Sequence, residues 1–183
     1  MKTKTNPETA AKTGTLDNAE PTLHTLLLDT VRDLYWAENH LIKALSKMSA
    51  SASSEALKKA ITKHLNETKT QVGRLEKIFE MLGEKAVAKK CDAMEGLTKE
   101  GEAIIETTPA GTQTRDVGII FASKKVEHYE IASYLGAYQL ATTLGLSEVG
   151  EQLQETLQEE QQTDKLLAEM VGEMLAGTTE KMA

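Results

Sequence analysis

Residues 27–48 read LLDTVRDLYWAENHLIKALSKM, and in them Leu27, Val31, Leu34, Leu41, Leu45 and Met48 recur three, four or seven positions apart. That is the repeat of one face of an α-helix. The stretch predicts a helix, A, with Pro21 in its first turn, where a missing N–H costs nothing, and an end near Ala50. One residue breaks the pattern. Glu38 lies between Leu34 and Leu41, in phase with Val31 and Leu45, so its carboxylate is aimed at the side that must be buried.

Working outward, the SASASS run ending at Ser54 supplies a turn and an N-cap, after which Leu57, Ile61, Leu75, Ile78 and Leu82 define helix B up to a C-terminal stop at Gly83. Helix C begins near Thr114, carries Val117, Ile120, Ile131, Tyr134 and Tyr138, and ends before Gly145. Ser147 caps helix D, with Val149, Leu153, Leu157, Leu167, Val171 and Met174 in phase and a stop near Gly177. Between B and C, residues Cys91 to Ile105 have a shorter helical pattern of their own, interrupted by Gly96 and Gly101 and followed by Pro109. Short A–B and C–D turns make antiparallel hairpins, and the long B–C segment can cross the whole bundle, about 40 Å at 1.5 Å per residue. No alternating strand pattern and no Asn-Gly hairpin signal occurs. The expected fold is all-α: an up-down-down-up four-helix bundle over residues 21–176, with a long B–C crossover carrying a short extra helix. Residues 1–20, poor in large apolar side chains, are expected to be a disordered tail, and 177–183 a short C-terminal one.

Composition narrows the function. The chain has 183 residues, a net charge of -7 and 27% charged residues, which argues against nucleic acid as a main partner because phosphate neutralisation needs clustered Lys and Arg. The tail lysines Lys2, Lys4 and Lys12 are too sparse to change that. A single cysteine, Cys91, excludes an internal disulfide, and Asp92 beside it argues against a reactive thiolate. With no apolar run long enough to span a membrane and no apolar signal core, a cytoplasmic location is expected.

The polar residues inside the apolar stripes carry the functional information. His64 follows Ile61 and precedes Glu67 at i+3 on helix B; Glu127 and Glu130 fall in the run leading to Ile131 and Tyr134; Glu160 and Asp164 interrupt the stripe of helix D. Height agrees as well. Taking the A–B turn near residue 52, Glu38 lies about 14 positions before it and His64 and Glu67 about 12 and 15 after; about the C–D turn, Glu130 and Glu160 are each about 15 positions away, and Glu127 and Asp164 about 18 and 19. Carboxylates and an imidazole meeting in an apolar interior would repel and desolvate one another unless they shared protons or cations. A pair of hard divalent metals resolves that conflict, since carboxylates chelate one ion or bridge two, and a donor set without thiolate favours iron or manganese. The candidate metal ligands are Glu38, His64, Glu67, Glu127, Glu130, Glu160 and Asp164. His128 points about 100° away from Glu127 and is left out; His24 and His40 are expected at the surface, and Tyr35, Tyr129, Tyr134 and Tyr138 in the core.

With these residues in view, the chain resembles the YciE/YciF family of bacterial stress-associated proteins, a branch of the ferritin-like superfamily, over about residues 22–172. The matching stretches are DLYWAENHLIKALSKM around Glu38, HLNETKTQVGRLEKIFEMLG from His64, CDAMEGLTKEG from Cys91, KVEHYEIASYLGAY from Lys125 and LQETLQEEQQTDKLL ending at Leu167. The resemblance implies a ferritin-like bundle, a homodimer, a stress role and a di-iron centre with ferroxidase or peroxide-consuming activity, manganese being the alternative metal. It places Glu38, Glu67, Glu127 and Glu160 at carboxylate positions, with Glu130 replacing Glu127 if the register shifts. Helix B departs from the wider Glu-x-x-His pattern, reading His64-x-x-Glu67, and Glu160 is followed at i+3 by Thr163. His64 and Asp164 are therefore substitute ligands by geometry alone. The expected partners are Fe(II) with oxygen or peroxide; the competing expectation is a non-catalytic adaptor or structural bundle with a degenerate site.

Overall fold

The computed structural model describes residues 22–179, which form five α-helices: α1 (Leu23–Ser51), α2 (Glu55–Met81), α3 (Asp92–Thr107), α4 (Gln113–Thr143) and α5 (Ser147–Thr179). Among the described residues there is no strand. The expected 1–20 tail and Pro21 lie outside them. Helix α1 is capped by Thr22, whose hydroxyl accepts from Thr25 N at 3.2 Å, and α2 by Ser54, which accepts from Leu57 N at 3.4 Å. The stops at Gly83 and Gly145 have a physical basis, φ of 70° and 72°, which lets Glu84 N reach Phe79 O and Leu146 N reach Ala141 O, both at 2.9 Å. Gly177 has no such positive φ, and α5 continues past the expected stop to Thr179.

The topology follows from one carboxylate. Asp116, near the start of α4, accepts from Ser53 N at 2.7 Å and Ser54 N at 2.9 Å, fastening the α1–α2 turn to the beginning of α4. Helices α2 and α4 therefore leave the same end of the bundle in the same direction, at diagonally opposite corners, α1 and α5 run towards it between them, and α3 carries the chain back along the outside against α1 and α4. This is the expected up-down-down-up bundle with a helical crossover. The crossover helix runs unbroken through Gly96 and Gly101. At Gly101 a methyl group would collide with Met48 Cε, so glycine is what lets α3 lie close against α1.

The interior divides into two apolar cores. One, towards the α1–α2 turn, contains Leu41, Leu45, Met48, Leu57, Ile61, Ile119, Ile120, Val126 and Leu167. The other, towards the far end, contains Leu27, Val31, Leu34, Leu75, Ile78, Phe79, Tyr134, Val149 and Leu153. Every long helix passes from one core to the other through a polar layer, at Glu38 on α1, at His64, Thr68 and Gln71 on α2, at Glu127 and Glu130 on α4, and at Glu160 and Thr163 on α5.

Candidate metal centre

Each polar side chain in the layer is held inward by the apolar residues of its own helix above and below it. Leu34 and Leu41 flank Glu38, Val126 and Tyr134 flank the α4 pair, and Leu157 and Leu167 flank Glu160; all these residues are buried. Rotating any one of these three helices to expose its carboxylate would also expose large apolar side chains, at roughly 1.5–3 kcal/mol for each. The carboxylates of Glu38, Glu127, Glu130 and Glu160 are consequently 0% exposed and His64 is 3% exposed. One donor atom each from His64, Glu127, Glu130 and Glu160 falls within 4.8 Å of the others. His64 Nε2 lies 3.4 Å from Glu127 Oε1, and Nδ1 lies 3.8 Å from Glu160 Oε2.

Few of these atoms have a partner in the chain. Both oxygens of Glu127 and Glu130, Oε2 of Glu38 and Glu160, and both ring nitrogens of His64 are buried without a hydrogen bond. Leaving buried polar atoms unpaired costs about 1–3 kcal/mol each, and more for charged ones. Protonation is the response available to the metal-free chain. Burial holds the carboxyls of Glu38, Glu127 and Glu130 well above the ordinary range, reinforced by the charge of Glu160 at Glu38 and Glu127 and by that of Glu38 at Glu130. Glu160 is pushed up to about 7 by burial, with the neighbouring Glu127 carboxyl and the hydrogen bond from Gln71 pulling the other way. His64 is pushed down to about 4, chiefly by burial and then by the charge of Lys63, so at neutral pH it presents a neutral ring with a free lone pair. Protonated acids and a neutral imidazole are the forms that a divalent cation displaces protons from and binds to.

Two supports fix the cluster. Tyr134 donates to Glu38 Oε1 at 2.6 Å, so a tyrosine expected merely to fill the core also orients a carboxylate. On the other side, Gln71 Nε2 donates to Glu160 Oε1 and to Glu159 Oε2. Arg74 continues the seam, reaching Thr156 Oγ1 at 2.7 Å and the carboxylates of Glu159 and Glu155, each at 2.9 Å. Gln71 and Arg74 are absent from the sequence-based candidates. Their signal was present in the phase: Gln71 follows His64 by seven positions and precedes Leu75 by four, on the face already assigned to the interior.

The structure brings His64, Glu127, Glu130 and Glu160 into one group and sets Glu38 where the charge of Glu160, after burial, does most to raise its carboxyl. Glu67 and Asp164 stand at the edge of the layer. Glu67 pairs through Oε1 with Lys63 while its Oε2 is buried without a partner. Asp164 is engaged by Lys124 and by His128 Nε2 at 3.1 Å, with His128 itself exposed. His24 is exposed, whereas His40 differs from expectation: it is half-buried, stacked on Trp36 and bonded to Thr98 Oγ1 at 2.9 Å, because α3 packs over that face of α1. Cys91 is buried, its thiol pushed up by burial and bonded to Tyr129, and takes no part in the group. Among the described residues, no helix is long and apolar enough to cross a membrane.

Comparison with known proteins agrees with this architecture. The family described as "Domain of unknown function (DUF892)" matches residues 22–180. The chain is 39% identical over 150 residues to the protein YciF of Escherichia coli (strain K12), covering 81% of this chain and 90% of YciF, which bears out the resemblance read from the sequence. The crystal structure of that E. coli protein, described as a stress protein, superposes with a TM-score of 0.82 at 37% identity, over 86% of this chain and 99% of YciF. A Rhodopseudomonas palustris protein, YcfI, described as a candidate structural protein, follows at TM-score 0.78 and 35% identity, over 85% of this chain and 97% of its own. A Xanthomonas campestris protein at 20% identity and TM-score 0.68, over 87% and 97% of the two chains, shares the fold.

Proposed function

The chain belongs to the DUF892 family, and from that premise and the buried cluster we propose that it is a di-metal carboxylate protein, iron or manganese being the metal, that oxidises Fe(II) or consumes peroxide during stress. The observation that carries the reading is the set of partnerless donor atoms contributed by three helices to one point: His64, Glu127, Glu130 and Glu160. The donor set fits. It is rich in hard oxygen, contains one imidazole and no thiolate, and four carboxylates including Glu38 give enough oxygens to hold two ions with bridging. His64, Glu127, Glu130 and Glu160 would form the centre, with Glu38 completing one side and Glu67, whose Oε2 is buried and unpartnered, available at the other. Bound iron or manganese would supply the one-electron steps that no side chain of this group performs alone.

The chain's own contributions are separable. Tyr134 fixes the angle of the Glu38 carboxylate; Gln71, anchored by Glu159, fixes that of Glu160. The two apolar cores keep bulk water from the layer, which strengthens ion binding by lowering the local dielectric. The stress role is extended from the description of the E. coli relative. The homodimer expected from the resemblance belongs to the same proposal and is checked by light scattering.

The decisive experiment is anaerobic titration of metal-free protein with Fe(II) and, separately, Mn(II), reading bound metal per chain and the shift in Tm. About two ions per chain and a rise in Tm are expected, both lost in Glu127→Gln combined with Glu160→Gln. No binding by the wild-type protein would leave the structural-bundle reading in its place.

A further inference from the structure

Glu67 differs from the other carboxylate at the edge of the polar layer. Its Oε1 pairs with Lys63, one turn back on α2, while its Oε2 is buried and has no partner. Asp164 is engaged by Lys124 and His128, and among the described residues it has no buried, unpaired oxygen. The Lys63 side chain is 60% exposed and that of Glu67 25%, in a surface groove that Lys59 and Glu159 also line. The pair thus stands where bulk water ends and the cluster begins. Both members act inwards. After burial, the charge of Lys63 is the next cause of the lowered His64 ring, and Glu67 adds to burial and to the charge of Glu159 in raising the Glu160 carboxyl.

Ligand supply gives this pair a consequence. His64, Glu127, Glu130 and Glu160 offer one atom each within 4.8 Å of one another, which is the donor set of a single ion. A second ion needs oxygens from the flanks. Glu38 leaves its Oε2 unpaired on one flank; Glu67 leaves its Oε2 unpaired on the other, but its Oε1 is already taken by an ammonium. We propose that Lys63 is a built-in competitor for the second ion: its ammonium holds Glu67 in the metal-free chain, and a divalent cation must displace it before Glu67 can chelate. The inference rests on the di-metal reading above and adds the control of its occupancy. The two ions then bind in order, the group around His64 filling first. An ion pair this exposed shifts an equilibrium by about fivefold at most, so the competitor weakens the second step without abolishing it.

The test is calorimetric titration of metal-free protein with Mn(II) at pH 7, free Mn(II) being counted by EPR. It compares the wild type with Lys63→Met, Lys63→Arg, Lys59→Met and Glu67→Gln, all matched for helicity. The wild type should show a tight step and a weaker one. K63M keeps the alkyl stem and loses the charge; it should tighten the weaker step about fivefold and the tight step by less than about twofold. That gain should shrink in 1 M salt, where the screening length falls to about 3 Å. K63R should behave as the wild type. K59M removes an equal charge from the same groove but none from the Glu67 pair, and should leave both steps unchanged. E67Q should keep the tight step and lose the weaker one. A weaker step that K63M does not move, that K59M moves equally, or that E67Q retains overturns the inference while leaving the metal centre standing. Failure of the wild-type protein to bind metal removes both readings together.

Discussion

Glu160→Gln replaces one buried carboxyl by a neutral amide of the same shape, and the structure fixes the sign and size of its effect on the metal-free protein. Burial pushes the Glu160 carboxyl up to about 7 in the folded chain, against an ordinary value of 4.5. Because the folded state holds this proton more tightly, stability is lost as the pH rises from about 4.5, and the loss is complete above about 7. The difference amounts to about 3 kcal/mol at pH 8, using 1.36 kcal/mol per pKa unit. The amide variant escapes that penalty, and its Oε1 can still accept from Gln71. Metal-free E160Q should therefore be more stable than the wild type by about 2–3 kcal/mol at pH 8 and nearly equal to it at pH 4.5. His64 acts in the opposite sense. Its folded value of about 4 lies below the ordinary 6.5, so it adds stability as the pH rises from 4 to 6.5, in opposition to the loss from Glu38, Glu127 and Glu130, whose burial holds them raised in E160Q as well. Urea denaturation at half-unit pH steps, after chelation and dialysis, measures both curves. A variant less stable than wild type at pH 8 would falsify the account of a strained, proton-hungry cluster.

Other consequences are read with the same equipment. Metal should raise Tm more at pH 8 than at pH 5.5, because ions compete with protons for Glu38, Glu127, Glu130 and Glu160; differential scanning calorimetry with Mn(II) at the two pH values decides. Tyr134→Phe removes the chain's hydrogen bond to Glu38 and should cost about 1–3 kcal/mol in urea denaturation with helicity unchanged. Asp116→Ala frees two backbone N–H groups at the α1–α2 turn and should cost a similar amount, about 1–3 kcal/mol, without altering metal stoichiometry; equal loss of metal binding would show that the turn and the cluster are coupled. Gly101→Val should destabilise by about 1–2 kcal/mol, since the Met48 methyl it meets must move aside within a packed core, seen as a lower Tm.

The helices were legible because their signal is local and redundant. Six apolar residues of α1 fall on one face, and only a helix places them there. The level of the cluster was legible for a related reason: antiparallel hairpins with short turns convert residue counts into heights, which aligned Glu38 with His64 and Glu130 with Glu160 before any coordinate was known. What the counts could not supply was rotation about each helix axis to better than one residue. Glu67 and Gln71 are one turn apart, both within reach of the layer, and the sequence offered no reason to choose the amide as the partner of Glu160. That choice depends on Glu159 and Arg74, which lie on two different helices and meet only in the folded bundle. The path of the crossover was hidden similarly, since Gly96 and Gly101 read as interruptions until the close approach of Met48 gave Gly101 a packing role.

The polar layer contains its own control for deciding between a structural role and a metal-binding one. A layer kept only to fix the register of a bundle has no use for unpaired charge, and its groups should satisfy one another. The Arg74 seam meets that standard: the guanidinium binds Glu155, Glu159 and Thr156, and Gln71 links Glu159 to Glu160. Directly beside it, Glu127 and Glu130 expose neither oxygen to solvent and offer neither to any group of the chain. The same helix faces and the same two cores thus produce paired polar groups on one side and unpaired donors on the other. Chain packing that can complete the seam could have completed the cluster with one more arginine or lysine. Its donors instead converge on a point that a cation, and no side chain present, can occupy.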